Sequence, residues 1–200
     1  VVADLAEGLL RINPAGDRID TLRKVDRNAG EFGIMDPFVM PGSGSVLFGV
    51  YSGTGRWKIV GRMLDGSREV TLVPGASRAR FAPPDLLVYS RDGGLYAARF
   101  DPKRLELLGE ETQIALGLPN AFLAASHAVY FATSSTGAVV YVAGAPRRRS
   151  GELVLIVRST NNAAPLRDAV GMRPRFAPRR NAIVAEDSGQ AWIYDLDKGG

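Results

Sequence analysis

Side chains able to trade protons or electron pairs are scarce in this chain. Its one histidine, His127, follows Ser126, which suggests a nucleophile beside its base. Adjacent residues on a strand point to opposite faces, so the two could not meet. A single imidazole also excludes zinc sites built on two, including the His-Glu-x-x-His helix. The absence of cysteine removes thiolate metal sites, a cysteine nucleophile and a disulfide framework together. No Gly-x-Ser-x-Gly elbow, Gly-x-x-x-x-Gly-Lys phosphate loop or segment of paired carboxylates occurs, and Gly42-Ser43-Gly44-Ser45 lacks the elbow spacing. No catalytic residue or metal ligand is assigned, and no cofactor is expected.

Guanidinium chemistry remains. The net charge is +4, and of 25 basic residues only Lys24, Lys58, Lys103 and Lys198 are lysines. So mild a bias does not suit a nucleic-acid binder, which needs a clustered basic face. The run Arg147-Arg148-Arg149 sits between the turn residues Gly144-Ala145-Pro146 and Ser150-Gly151 and reads as a solvated loop, with contact to an anionic partner as the other reading. Two spaced pairs, Arg78 with Arg80 and Arg173 with Arg175, are the candidate binding residues. Each pair precedes an apolar strand, where a ring of positive charge could attract an anionic group or an acidic loop.

The elements that position them are strands: short runs of Val, Ile, Leu, Tyr and Phe broken by Gly, Pro, Asp, Asn or Ser. Ser45–Tyr51, Trp57–Met63 and Glu69–Val73 read as three strands joined by hairpin turns at Ser52-Gly53-Thr54-Gly55 and Asp65-Gly66, since tight hairpins need the positive φ that Gly, Asn and Asp tolerate. Asp101–Glu106 is the only plausible helical turn. Trp57, Trp192, Tyr96, Tyr141 and Tyr194 fall in strand centres and are expected to pack between sheets. Thr112–Pro146 holds no Lys, Arg, Asp or Glu, but its Gly, Pro, Asn and Ser/Thr clusters favour buried strands over a membrane span, which needs about 20 apolar residues. No signal peptide is visible at Val1-Val2-Ala3-Asp4, and the composition leaves the compartment open.

Internal repetition organises these strands. Arg78-Ala79-Arg80-Phe81-Ala82-Pro83 recurs 95 residues later as Arg173-Pro174-Arg175-Phe176-Ala177-Pro178, with weaker copies at Phe38 and Phe131. The four Phe positions are 43, 50 and 45 residues apart. About 40–50 residues and four strands per unit is the spacing of a propeller blade. The first residues match the last in kind: Val1-Val2-Ala3-Asp4 with Ile183-Val184-Ala185-Glu186, and Gly8–Ile12 with Gln190–Tyr194. The expected fold is all-β, a β-propeller of between four and five blades of four-stranded antiparallel sheets. The units run approximately 1–27, 38–73, 81–116, 131–170 and 176–200. An open arc would expose two blade faces, so an excerpt of a larger ring of roughly six to eight blades is expected. In that arrangement Arg78, Arg80, Arg173 and Arg175 would line the mouth of the central channel. Strand-end charges kept in water are the alternative.

Arg-x-Arg-Phe-Ala-Pro, followed by an apolar strand, a Gly-containing turn and Leu95-Tyr96 or Trp192-Ile193-Tyr194-Asp195-Leu196, resembles the WD-like propeller repeats of the TolB type over nearly the whole chain. The segment Leu86–Glu110 is similar to propellers at the carboxyl end of bacterial membrane-anchored serine/threonine kinases. That likeness implies a periplasmic or extracytoplasmic sensing module, recognising a protein or a small anionic ligand without inserting into the membrane. The gating propeller of a prolyl-oligopeptidase-like serine hydrolase and a TolB-like periplasmic envelope protein are the alternatives. The Asp-Gly turn of such repeats is replaced here by Pro84-Asp85, Gly42-Ser43-Gly44, Ser135-Thr136-Gly137 and Arg179-Arg180-Asn181, so no metal site is implied.

Overall fold

Strands account for the regular structure throughout, and among the described residues there is no helix. The computed structural model describes residues 1–53, 56–118, 129–143, 151–160, 162–178, 180–187 and 189–198, with backbone only at 167 and 168. A first sheet holds β1 (Val2–Asp4), β2 (Gly8–Ile12) and β3 (Ile19–Lys24). The second holds β4 (Glu31–Met40), β5 (Ser45–Ser52), β6 (Trp57–Met63) and β7 (Glu69–Pro74). The third holds β8 (Arg78–Ala82), β9 (Leu86–Arg91), β10 (Gly94–Asp101) and β11 (Glu106–Ala115). Next come β12 (Phe131–Thr133), β13 (Val139–Ala143), β14 (Gly151–Val157), β15 (Asn162–Phe176), β16 (Ala182–Asp187) and β17 (Gln190–Asp195), hydrogen-bonded in that order.

β15 belongs to two sheets. Asn162 to Gly171 pair with β14 as the last strand of a fourth sheet, and Met172 to Phe176 pair with β16 as the first strand of a fifth. All pairings are antiparallel between sequence neighbours, so the chain is a succession of meanders. Turn chemistry sets the registers. Arg91 faces Gly94 across the two-residue loop Asp92-Gly93, whose φ values of 50° and 71° are those of the primed turn that matches strand twist. Asp101–Glu106 is a turn and not the helical turn expected from its sequence. The Asp101 carboxylate accepts from Lys103 N and Arg104 N at 2.8 and 3.0 Å, and Leu105 takes φ 52°, which ends any helical path.

Successive residues of the middle strands serve opposite interfaces, as a period of two requires. In β5, Val46, Phe48 and Val50 pack with Leu9 between the first and second sheets. Leu47 joins Leu87, Tyr89 and Phe100 between the second and third. Val88 and Leu95 meet Phe131 and Val139 between the third and fourth, and Val140 and Leu153 meet Ile183 between the fourth and fifth. Four apolar layers thus alternate with five sheets, like leaves of a fan. Gly49 marks a close approach of the second sheet to the third, since a Cβ there would lie 2.6 Å from the Ser77 carbonyl oxygen. The first strands of the sheets, β4, β8, β12 and the end of β15, pack against one another in turn and form the hub. Thr133 Oγ1 donates to the Phe81 carbonyl at 3.0 Å within it.

Polar pairing supplements the layers at one junction. Glu31, 2% exposed, pairs with Arg23 of β3 and lies 3.2 Å from Lys58 Nζ. Burial alone would raise its pKa, but the Arg23 guanidinium and the Asp26 amide outweigh that and hold it at about 2. The outward sides of the end sheets keep apolar groups in water: Ile19 is 62% exposed and Ile193 is 66% exposed.

If inter-sheet burial carries the stability, Phe100→Ala, at 1% exposure, will cost about 3–5 kcal/mol in urea unfolding, whereas Ile193→Ala will stay within about 0.5 kcal/mol of the parent.

Candidate functional site

The repeated segments converge at the hub. Phe81, Phe131 and Phe176 pair with Leu87, Tyr141 and Ile183, each on the face turned to the preceding sheet. Phe38 is out of phase with them. It pairs with Leu47 and faces the following sheet, while Val39, opposite Val46, takes the place that Phe fills elsewhere. The cause is local: four residues link β4 to β5 where three link β8 to β9. One extra residue exchanges the faces of a strand. The residue before each repeat position then lies on the other face of its strand, giving Phe38, Arg80, Tyr130 and Arg175. Two residues further back stand Asp36, Arg78 and Arg173.

Asp36 fixes this constellation. It sits at a bulge between Met35 and Phe38, at φ 55° and ahead of Pro37, which turns its carboxylate across to β8. Arg80 Nη2 and Nη1 donate to its two oxygens at 2.8 and 3.0 Å, a bidentate fork. Arg78 Nε donates at 2.6 Å and Nη2 at 3.4 Å. Burial would raise the Asp36 pKa, and the Arg80 and Arg78 charges overcome it and lower the value. The guanidiniums also lie over aromatic faces, Arg80 at 5.3 Å from the Phe38 centroid and Arg78 at 5.4 Å from that of Tyr130. With side chains 7% and 14% exposed, Arg80 and Arg78 are not strand-end charges kept in water.

The second pair is set differently. Arg173, at φ 50°, is held charged by the Tyr130 hydroxyl first and by Glu186, 3.1 Å away. Arg175 donates to the Pro174 carbonyl at 3.1 Å, and among the described residues no carboxylate lies within ion-pair distance of it. Its pKa is lowered, by burial and then by the like charges of Arg80 and Arg78. Water nevertheless reaches the residue, which is exposed. Arg78, Arg80, Arg173 and Arg175 therefore share one electrostatic environment, although they come from segments 95 residues apart. Sequence reasoning missed Asp36, Phe38 and Tyr130 as members; the Asp-Pro step before Phe38 was the available signal.

His127, Ser126 and Arg147–Arg149 lie outside the described residues. Of the aromatics, Trp57 and Tyr141 are buried and Tyr96 stacks on Tyr89 at 5.9 Å. Trp192 departs from the packing expectation at 49% exposed. No helix among the described residues is long and apolar enough to cross a membrane.

No family model and no curated protein matches this chain. Solved structures do. A regucalcin from Agrobacterium tumefaciens, described as a calcium-binding protein, superposes with TM-score 0.66 at 13% identity over 96% of this chain and 70% of its own. The Dos1 propeller superposes with TM-score 0.52 at 14% identity over 94% of this chain and 48% of its own. The fold is that of a β-propeller. Puromycin hydrolase shares it, with TM-score 0.65 at 16% identity over 90% of this chain and 29% of its own. The chain spans under half of the Dos1 and puromycin hydrolase structures. Among the described residues no group of three or more His, Cys, Asp or Glu could hold a metal ion, and the hub of this propeller surrounds Asp36 with guanidiniums that would repel a cation.

Removing Asp36 should leave two part-buried guanidiniums uncompensated. Asp36→Asn is expected to destabilise by about 3–5 kcal/mol in urea unfolding. Because the folded pKa of Asp36 lies below its unfolded value, its contribution is complete above about pH 4 and is lost as pH falls through the folded pKa. The variant's stability should therefore fall less steeply than the parent's as pH is lowered below about 4.

Proposed function

We propose that this propeller is a non-catalytic recognition module whose hub engages an anionic group, on a small ligand or on a partner protein. The observation that carries the reading is the hub itself, where four guanidiniums, of Arg78, Arg80, Arg173 and Arg175, face the carboxylates of Asp36 and Glu186. A positive surplus in a partly enclosed channel raises the local concentration of anions and steers them inward. A rigid ring of strands beneath loops is the setting in which propellers present binding surfaces.

The finer proposal is a sensor region of a bacterial membrane-anchored serine/threonine kinase, placed outside the cytoplasm. It is supported by the Arg-x-Arg-Phe-Ala-Pro repeat and by Leu86–Glu110. A second reading, the propeller of a prolyl-oligopeptidase-like serine hydrolase, is favoured by the superposition on puromycin hydrolase. A Gly-x-Ser-x-Gly segment in the polypeptide carrying this propeller would support the second reading, and a kinase domain with a membrane span the first.

Backbone NMR titration with citrate and inorganic phosphate should shift amides of β8 and of the end of β15, more strongly at low salt than at high salt. Arg173→Gln combined with Arg175→Gln should weaken binding about tenfold or more while unfolding like the parent. Shifts confined to surfaces away from the hub would overturn the reading.

A further inference from the structure

The two arginine pairs are copies of one device. Arg78 and Arg80 on the third sheet close on a carboxylate from the hub strand of the preceding, second sheet, Asp36 of β4. Arg175, opposite Val184, holds on the fifth sheet the place that Arg80, opposite Val88, holds on the third, and Arg173 precedes it at a bulge, so their counterpart would come from the hub strand of the fourth. Asp36 stands three residues before Val39, and three residues before Phe131 the sequence has Ala128, outside the described residues and without a carboxylate. No Asp or Glu occurs anywhere between Glu111 and Glu152. The residue before β12 is instead Tyr130, whose hydroxyl is the first cause of the raised Arg173 pKa.

Donor use separates the pairs further. Arg80 spends both terminal nitrogens on Asp36, one of them also on the Ala79 carbonyl, and Arg78 spends Nε and Nη2 there. Arg175 spends one nitrogen on a neighbouring carbonyl, and Arg173 is tied on its outer side to Glu186, an exposed pair.

We infer that the Arg173–Arg175 fork is a carboxylate-binding site, which takes from a ligand the group that Asp36 supplies to Arg78 and Arg80 within the chain. Arg175 is the principal contact, binding both oxygens in the planar fork geometry, and Arg173 with Tyr130 closes the other side. The Asp36 pair is structural and keeps neighbouring guanidiniums fixed. This inference rests on the reading of the hub as a recognition surface. The carboxylate can belong to a free small acid or to an acidic side chain on a partner's loop; the chemistry at the fork is the same.

The test follows arginine Nε–Hε signals by NMR while succinate, the peptide acetyl-Gly-Asp-Gly-amide or inorganic phosphate is added. Succinate or the peptide should shift Arg175 at lower concentration than phosphate does. Arg175→Gln should weaken carboxylate binding about tenfold or more, Arg175→Lys should fail to restore it because a point charge replaces the fork, and Arg99→Gln, off the hub, should bind like the parent. Tighter binding of the peptide than of succinate supports an acidic loop as occupant, and the reverse supports a free acid. Phosphate bound more tightly than carboxylate, or carboxylate binding that survives Arg175→Gln in a folded protein, would overturn the inference and leave the hub as an anion site. No shift of any hub arginine with any of the three probes would overturn both.

Discussion

Each sheet in this molecule has two faces, and neither can be left in water without losing the main stabilising term of the fold. Covering both with neighbouring sheets makes the middle strands apolar without interruption. Ser45–Val50 is buried at all six positions, whereas β17, in an end sheet, has four exposed positions out of six. The same constraint ties the sheets together in sequence order. Each apolar layer is built half by one sheet and half by the next, as Leu47 and Leu87 show, so no single sheet is a unit of stability.

Covering the faces also decides where polar groups go. The broad middles of the sheets are taken by aliphatic and aromatic layers, and side chains that need water or counter-charges are left the loops, the outer edges and the hub. The outer edge carries Glu111, which binds Tyr89 and Arg91, and Glu69, which binds Arg62 and Arg23. At the hub the part-buried charges of Arg78 and Arg80 need a partner, and Asp36 supplies one across the junction between the second and third sheets.

Much of this was legible in the residues. Period-two alternation, Gly-rich hairpins and a repeat of 40–50 residues specify meandering sheets stacked in order, because they report local backbone chemistry and burial on both faces. The pairs Arg78/Arg80 and Arg173/Arg175 could be singled out because they preceded a recurring Phe-Ala-Pro. Asp36 could not be placed with them. Its role depends on a bulge and on a one-residue difference in loop length, which put Phe38 out of phase and carry the Asp36 carboxylate to the next sheet. Contacts between sheets are set by three-dimensional phase, to which a repeat spacing is blind at the level of one residue. Trp192 misled for a related reason: strand position predicts a face, but not whether a neighbour covers it.

The hub has a consequence for affinity. The Arg175 pKa is lowered by burial first and then by the charges of Arg80 and Arg78, which Asp36 opposes. A chain that keeps several guanidiniums in one enclosure stores unfavourable electrostatic energy in the unliganded state. β8, which carries Arg78 and Arg80, cannot yield, because it is clamped between apolar layers on both faces. Rigid presentation also lowers the entropy cost of association. On the proposed reading of the hub as an anion site, an incoming anion would relax repulsion that the backbone of β8 cannot relax by moving.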